Sequence, residues 1–123
     1  MTCPICQAHK NPSEILFENE FWILRKANQN LDGYLYLEIK GHIESWNQLT
    51  MEQFEAYGRA LHKGTELIES SHPEKIYMTA IAERVPHLHV HLIPRFKGQT
   101  PGIEHIAQAT GPGFPKPMQK MGG

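Results

Sequence analysis

A chain of 123 residues, 40% of them hydrophobic and 20% charged, is sized for one ordinary globular domain with one core. A net charge of -1 and a pI near 6.7 advertise no basic surface for a nucleic-acid polymer and no polybasic run for a membrane. No apolar stretch approaches the roughly 20 residues of a membrane helix, and the opening Met-Thr-Cys-Pro-Ile-Cys lacks the features of a secretory signal, so a cytoplasmic protein with two reduced thiols is expected.

Residues 3–12 carry two prolines and no apolar period, which suits a loop or knuckle around Cys3 and Cys6. Residues 14–18 and 21–27 are short apolar runs split by Asn19-Glu20, the pattern of a hairpin. A polar turn over 28–33 ends in Gly33. Residues 34–40 then alternate, with Leu35, Leu37 and Ile39 on one face and Tyr34, Tyr36, Glu38 and Lys40 on the other, as in a half-buried strand. The clear helix begins at Thr50, which has capping-box spacing to Gln53. Its expected inner stripe is Phe54, Tyr57, Leu61 and Ile68, completed by Gly64 and Thr65, and it stops at Ser70-Ser71-His72-Pro73. Residues 75–83 and 87–94 read as a fourth and a fifth strand. Residues 1–110 thus form one domain, and 111–123 a Pro/Gly-rich tail, flexible or laid over the surface. Three strands, a helix and two strands imply the α+β class: a five-stranded meandering antiparallel sheet with one main helix on one face.

The chemistry concentrates in His87-Leu88-His89-Val90-His91-Leu92-Ile93-Pro94. Alternation on a strand sends Leu88, Val90 and Leu92 into the core and places the three histidines on the opposite face. Strand geometry disfavours one metal ion bound by all three, as in a metallohydrolase, although adjacent members of the row could share one. At about 3.3 Å per residue, His87 and His91 start roughly 13 Å apart, whereas zinc holds imidazole nitrogens at about 2.0–2.1 Å. Division of labour fits better. A neutral imidazole can attack phosphorus to give a phosphoryl- or nucleotidyl-histidine that water later cleaves. Its neighbours can donate hydrogen bonds to the equatorial oxygens, where transition-state charge is spread. His89, flanked on both sides, is the natural nucleophile.

This run, continued to Arg95, resembles the signature of the histidine-triad family of nucleotide hydrolases and transferases. The resemblance extends upstream through Cys3-Pro-Ile-Cys6, Ser13-Glu14-Ile15, Gly33-Tyr-Leu-Tyr-Leu37 and Ile39-Lys40-Gly41-His42-Ile43-Glu44, covering residues 3–96. It implies a five-stranded antiparallel histidine-triad fold, a homodimer with strands joined across the two-fold, and a covalent intermediate on His89. The backbone carbonyl of His87 would fix the ring of the nucleophile, and His91 would contact the phosphate. By spacing alone, Cys3-Pro-Ile-Cys6 is half a zinc site or two incidental thiols. Zinc-bearing members of the family complete the site with histidines that map to His42 and His87. The implied ion is four-coordinate, closed and structural, with none required for catalysis. His9 is the competing fourth ligand, and His62, His72 and His105 are left as surface residues.

The chain departs from the family pattern in three places. Glu83 stands where a polar group usually assists the leaving group; a carboxyl there repels phosphate or donates a proton, or else forms a surface pair with Arg84. Arg25-Lys26 replace the acidic residue that accepts the ribose hydroxyls, and Lys26 in the pocket would favour a second anionic group. The glycine- and asparagine-bearing loop before the end of the fourth strand is missing from 76–81. The expected activity is a nucleotidyl or phosphoramidate hydrolase or transferase with His89, His87, His91 and Glu83 at the reaction centre. Lys26 and Arg95 would hold the substrate, a nucleotide or another phosphorylated small molecule. The alternative is a zinc-stabilised module that binds a nucleotide or phosphate without turning it over.

Overall fold

The computed structural model describes residues 3–10, 14–27 and 31–110; the expectations for residues 11–12, for 28–30 of the polar turn and for the 111–123 tail lie outside them. Five strands form one antiparallel sheet: β1 (Ile15–Glu18), β2 (Trp22–Lys26), β3 (Leu35–Ile39), β4 (Lys75–Thr79) and β5 (His89–Arg95), in the order β1-β2-β3-β5-β4. The first three strands meander. The chain then crosses the sheet through the long helix α2 (Met51–Glu69), enters at the far edge as β4 and returns as β5 against β3. That last step places the histidine strand in the interior of the sheet, paired on both sides.

The β1–β2 hairpin closes on Asn19, whose side-chain oxygen accepts from the backbone N–H groups of Phe21 and Trp22 at 3.0 and 2.9 Å. The same side chain donates to the carbonyl of Ala56 on α2 at 2.9 Å, tying hairpin to helix. Helix α2 starts at the expected capping box: Gln53 N–H donates to Thr50 Oγ1 at 3.1 Å, and Thr50 N–H to Gln53 Oε1 at 2.8 Å. The inner stripe differs from the expected one. Its buried positions are Ala56, Ala60, Gly64 and Ile68, whereas Tyr57 and Leu61 are half-buried flanks and Phe54 is 40% exposed. Small residues at the first three of these positions, Ala56, Ala60 and Gly64, let the helix approach β2 and β5 closely, and Ile68 fills the end of the line.

The apolar face of the sheet, with Leu24, Leu35, Leu37, Ile39, Leu88, Val90 and Leu92, packs against α2. Trp22 is fully buried there, and its indole N–H donates to the Gln53 carbonyl at 2.8 Å. The other face carries two short helices that the sequence pattern did not reveal. Helix α1 (Pro4–Lys10) lies within the segment expected as a loop; proline at a first helical position loses no hydrogen bond, so it did not argue against a helix there. Helix α3 (Ile103–Thr110) packs Ile106 and Ala109 against the buried cluster of Ala27, Tyr34 and Ile93. His105 on α3 is a correction: it is buried, with its Nε2–H donating to the Pro94 carbonyl at 2.9 Å, and is not a surface residue. His62 and His72 are exposed. Among the described residues no helix is long and apolar enough to cross a membrane.

The close approach of α2 is testable with a matched pair of substitutions. A Cβ on Gly64 would lie 2.7 Å from Leu92 Cδ1 and 3.3 Å from Leu24 Cδ1, whereas one on Gly58 meets nothing within 4 Å. Both changes to alanine gain about 1 kcal/mol of helix propensity, but overpacking at Gly64 costs about 1–3 kcal/mol. Thermal unfolding should show Gly58→Ala stabilised and Gly64→Ala several degrees below it; equal melting temperatures would mean that the helix–sheet contact relaxes freely.

Candidate active site and metal centre

The first turn of α1 brings Cys6 back beside Cys3, and the Cys6 N–H donates to Cys3 Sγ at 3.4 Å. Two imidazoles close on the pair: His87 Nδ1 lies 3.4 Å from both sulfurs, and His42 Nδ1 lies 3.5 Å from Cys6 Sγ. The remaining nitrogen of each ring is committed. His87 Nε2–H donates to the Ile39 carbonyl at 2.7 Å, and His42 Nε2–H to the Glu44 carboxylate at 2.9 Å. A carbonyl can only accept, so the proton of neutral His87 is on Nε2 and a lone pair at Nδ1 faces the sulfurs. All four ligand atoms lie within 4.8 Å of one another. A tetrahedral zinc with bonds of about 2.3 Å to sulfur and about 2.0–2.1 Å to nitrogen would hold S and N roughly 3.5 Å apart. The observed 3.4–3.5 Å separations fit such an ion.

Electrostatics prepare the same donor set. Burial pushes His87 down from the usual imidazole range, keeping the ring neutral. Burial would raise the Cys3 thiol, but the backbone N–H groups of Cys6 and Ile5 and the neighbouring side chains outweigh it and hold it low. Burial and the adjacent Cys3 push Cys6 up, as two thiolates repel without a cation between them. His9, the other candidate ligand, packs edge-on against the His87 ring with centroids 5.6 Å apart, but its Nε2 is committed to Glu38 at 2.8 Å.

His87 precedes β5 rather than opening it and is completely buried, so it does not share the open row with its two successors. His89 and His91 do, with ring centroids 5.0 Å apart. His89 Nδ1–H donates to the His87 backbone carbonyl at 2.6 Å, leaving the Nε2 lone pair free. His91 Nδ1 meets the Tyr34 hydroxyl at 2.7 Å, and Tyr36 presents an edge contact to its ring at 5.6 Å. Burial, helped by His89, pushes His91 down to about 4, so it is neutral at physiological pH.

A group that sequence reasoning missed flanks this row. Glu38, 1% exposed and opposite His89 in the β3–β5 register, accepts from Arg25 Nε and Nη2 at 2.8 Å each and from His9. Burial alone would raise its carboxyl; the hydrogen bonds from His9 and Arg25 hold it below the usual range. The available signal was parity, since Glu38 shares a face with Tyr34 and Tyr36, opposite the apolar Leu35–Ile39 series.

The other expected site residues are scattered. Lys26 is exposed and pairs with Leu35, sharing the α2-side parity of Trp22 and Leu24, so the cation on the histidine face is Arg25 and not Lys26. Arg95 lies on the histidine face but beyond buried Ile93; its Nη1 reaches the Gln99 carbonyl at 3.5 Å, and its buried Nε has no partner among the described atoms. Glu83 is exposed in the bend that precedes β5.

Two imidazoles on an interior strand of an antiparallel sheet, a third buried before them and a Cys2His2 cluster at its side define a histidine-row protein with a metal-capable knuckle. The family model described as scavenger mRNA decapping enzyme C-term binding matches residues 2–105, and the chain belongs to the histidine-triad family. Among solved structures, it is similar to a member of the HIT family from Bacillus subtilis, with 25% identity and a TM-score of 0.65 over 80% of this chain and 76% of the other. A Zn-bound histidine triad family protein from Mycobacterium smegmatis shares the fold with a TM-score of 0.69 at 15% identity, over 83% and 81% of the two chains. A histidine triad nucleotide-binding protein from Candida albicans does so with a TM-score of 0.66 at 18% identity, over 82% of each. None of the curated proteins compared matches the chain.

The depressed His91 makes stability acid-sensitive. Its value lies near 6.5 when unfolded and about 4 when folded, so the unfolded chain takes up the proton first as pH falls. The contribution is intact above pH 6.5 and is lost progressively toward pH 4, up to about 3 kcal/mol. Urea unfolding between pH 7 and 5 should therefore show a steeper stability loss for the wild type than for His91→Asn. Parallel profiles would mean that His91 is solvated enough to ionise freely.

Proposed function

We propose that the protein is a hydrolase or transferase of nucleotidyl or phosphoramidate groups that works through a covalent intermediate on His89. The observation that carries this reading is the 2.6 Å hydrogen bond from His89 Nδ1–H to the His87 carbonyl, which commits the proton of the neutral ring to Nδ1 and leaves the lone pair on Nε2. Attack by that lone pair forms the N–P bond as the bond from phosphorus to the leaving group breaks. The leaving group takes a proton from water or from Glu83 in the exposed bend. Water then attacks phosphorus and gives up a proton to solvent, the N–P bond breaks with its electron pair returning to Nε2, and His89 is restored with its proton on Nδ1. His91, as a neutral donor, serves a phosphoryl oxygen through both steps. Arg25 has Nε and Nη2 committed to Glu38 and would offer its outer nitrogen to the ligand, with Arg95 further along the same face. A turnover-free binding module is the competing reading, favoured by the exposed position of Glu83.

His89→Ala should lower turnover of any phosphoramidate or nucleotide ester that the protein accepts by at least about three orders of magnitude while leaving the fold intact. Trapping and mapping a phosphorylated peptide locates the intermediate directly. Label on His91, or turnover surviving the substitution, removes His89 as nucleophile; ligand binding without any turnover by the wild type supports the binding module.

Cys3, Cys6, His42 and His87 are the proposed ligands of a structural zinc, which supplies cross-linking of α1 to the start of β5 and no catalytic step. Thiolate ligands require a reducing environment, consistent with a cytoplasmic protein. The family resemblance adds a homodimer, for which the edge strands β1 and β4 offer unpaired backbone. Elemental analysis should find about one zinc per chain. Because the binding energy of a structural zinc is folding energy, chelation or Cys6→Ser should lower the melting temperature by 10 °C or more, roughly several kcal/mol. Metal-free protein of unchanged stability would mean a degenerate site.

A further inference from the structure

Tyr34 is the last residue before β3 and is 1% exposed. Its ring lies in a buried cluster with Ala27 and Ile93, against which Ile106 and Ala109 of α3 pack, so the phenol needs a hydrogen-bond partner inside the protein. That partner is His91 Nδ1 at 2.7 Å, with the two rings 5.9 Å apart and tilted by 58°. The contact allows two arrangements of protons. If Nδ1 carried the proton and donated to the phenol oxygen, the phenol's own proton would be buried with no acceptor among the described residues, which costs about 1–3 kcal/mol. If the phenol donates, both groups are satisfied and the imidazole proton must sit on Nε2. Burial acts in the same direction on both partners, keeping the phenol protonated and the imidazole neutral.

We propose that Tyr34 is a positioning residue that locks His91 in the tautomer with its proton on Nε2, so that His91 presents a hydrogen-bond donor beside the His89 lone pair. The pair of rings on the open face then differ in role despite being the same residue type. His89, held through its Nδ1–H by a carbonyl acceptor, exposes a lone pair; His91, held at Nδ1 by a hydroxyl donor, exposes an N–H. Two acceptors would repel the phosphoryl oxygens, and two donors would leave no nucleophile. Helix α3 takes part indirectly, because Ile106 and Ala109 pack against the buried cluster that holds Tyr34. This assignment rests on the proposed chemistry for its purpose, but its physical content, the position of one proton, does not depend on any substrate.

The experiment is nitrogen-detected NMR of protein labelled with 15N in histidine side chains, at pH 7.5, on the wild type and on Tyr34→Phe. The wild type should show His91 with a protonated Nε2 and an unprotonated, hydrogen-bonded Nδ1. In Tyr34→Phe the Nδ1 resonance should move to the position of an unbonded nitrogen and the second tautomer should become populated. Turnover of a phosphoramidate should fall about tenfold in kcat, with KM changed less than threefold. A wild-type His91 carrying its proton on Nδ1, or a Phe variant with unaltered His91 resonances, overturns the proposal. The wild-type spectrum decides even if Tyr34→Phe does not fold. A locked tautomer in a protein without turnover would keep Tyr34 in its positioning role and discard only the enzymatic reading.

Discussion

His87 is held at three points, and the rest of the site hangs from them. Its Nδ1 faces the two sulfurs, its Nε2–H is spent on the Ile39 carbonyl, and its own backbone carbonyl takes the proton of His89. The Ile39 bond spans from the end of β3 to His87, two residues before β5, so the chain that precedes β5 is fastened to the neighbouring strand through a side chain as well as through the backbone. Removing water from the ring disfavours the imidazolium, which keeps Nδ1 available as a ligand. A buried histidine that fixes a partly exposed one through a carbonyl needs no side-chain movement to orient the exposed ring. The geometry of His89 is thus a property of the backbone.

The face around the row is polar to an unusual depth. Glu38 sits beside His89 across the strands at 1% exposure, which an unpaired carboxylate could not sustain. Its paired hydrogen bonds from Arg25 and its third bond from His9 make the burial tolerable, and together they join β2, β3 and α1. Removing one partner of such a buried group typically costs about 3–5 kcal/mol, because the remaining charge stays behind. The network also occupies sheet surface next to His89 with fixed charges rather than with an apolar floor. A ligand lying there would meet the guanidinium edge and Tyr36, an environment suited to anionic or aromatic groups.

The two faces of the sheet use opposite packing strategies. On the α2 side, alanines and a glycine let the helix settle onto leucine tips, and stability comes from tight apolar contact. On the histidine side, two short helices cover the ends of the strands and leave His89 and His91 between them. Helix α1 is anchored by thiol and imidazole contacts and α3 by aromatic packing, so neither needs a long amphipathic sequence of its own.

Local pattern was enough for what depends on neighbours in the chain. Alternation marked the strands and sorted Leu88, Val90 and Leu92 from His89 and His91, because a strand has a period of two whatever it packs against. Spacing located the hairpin at Asn19 and the cap at Thr50, both of which are short-range hydrogen-bond arrangements. The family signature brought Cys3, Cys6, His42 and His87 together before any coordinates did. What the pattern could not reach was decided by contacts across the sheet. Which helix positions lie innermost depended on the distance at which α2 settles, and that distance requires small residues rather than the most hydrophobic ones. The burial of His105 and the helical state of Pro4–Lys10 and Ile103–Thr110 come from surfaces supplied by remote strands. The choice of Arg25 over Lys26 turned on a one-residue question of register, and one residue on a strand is the difference between its two faces.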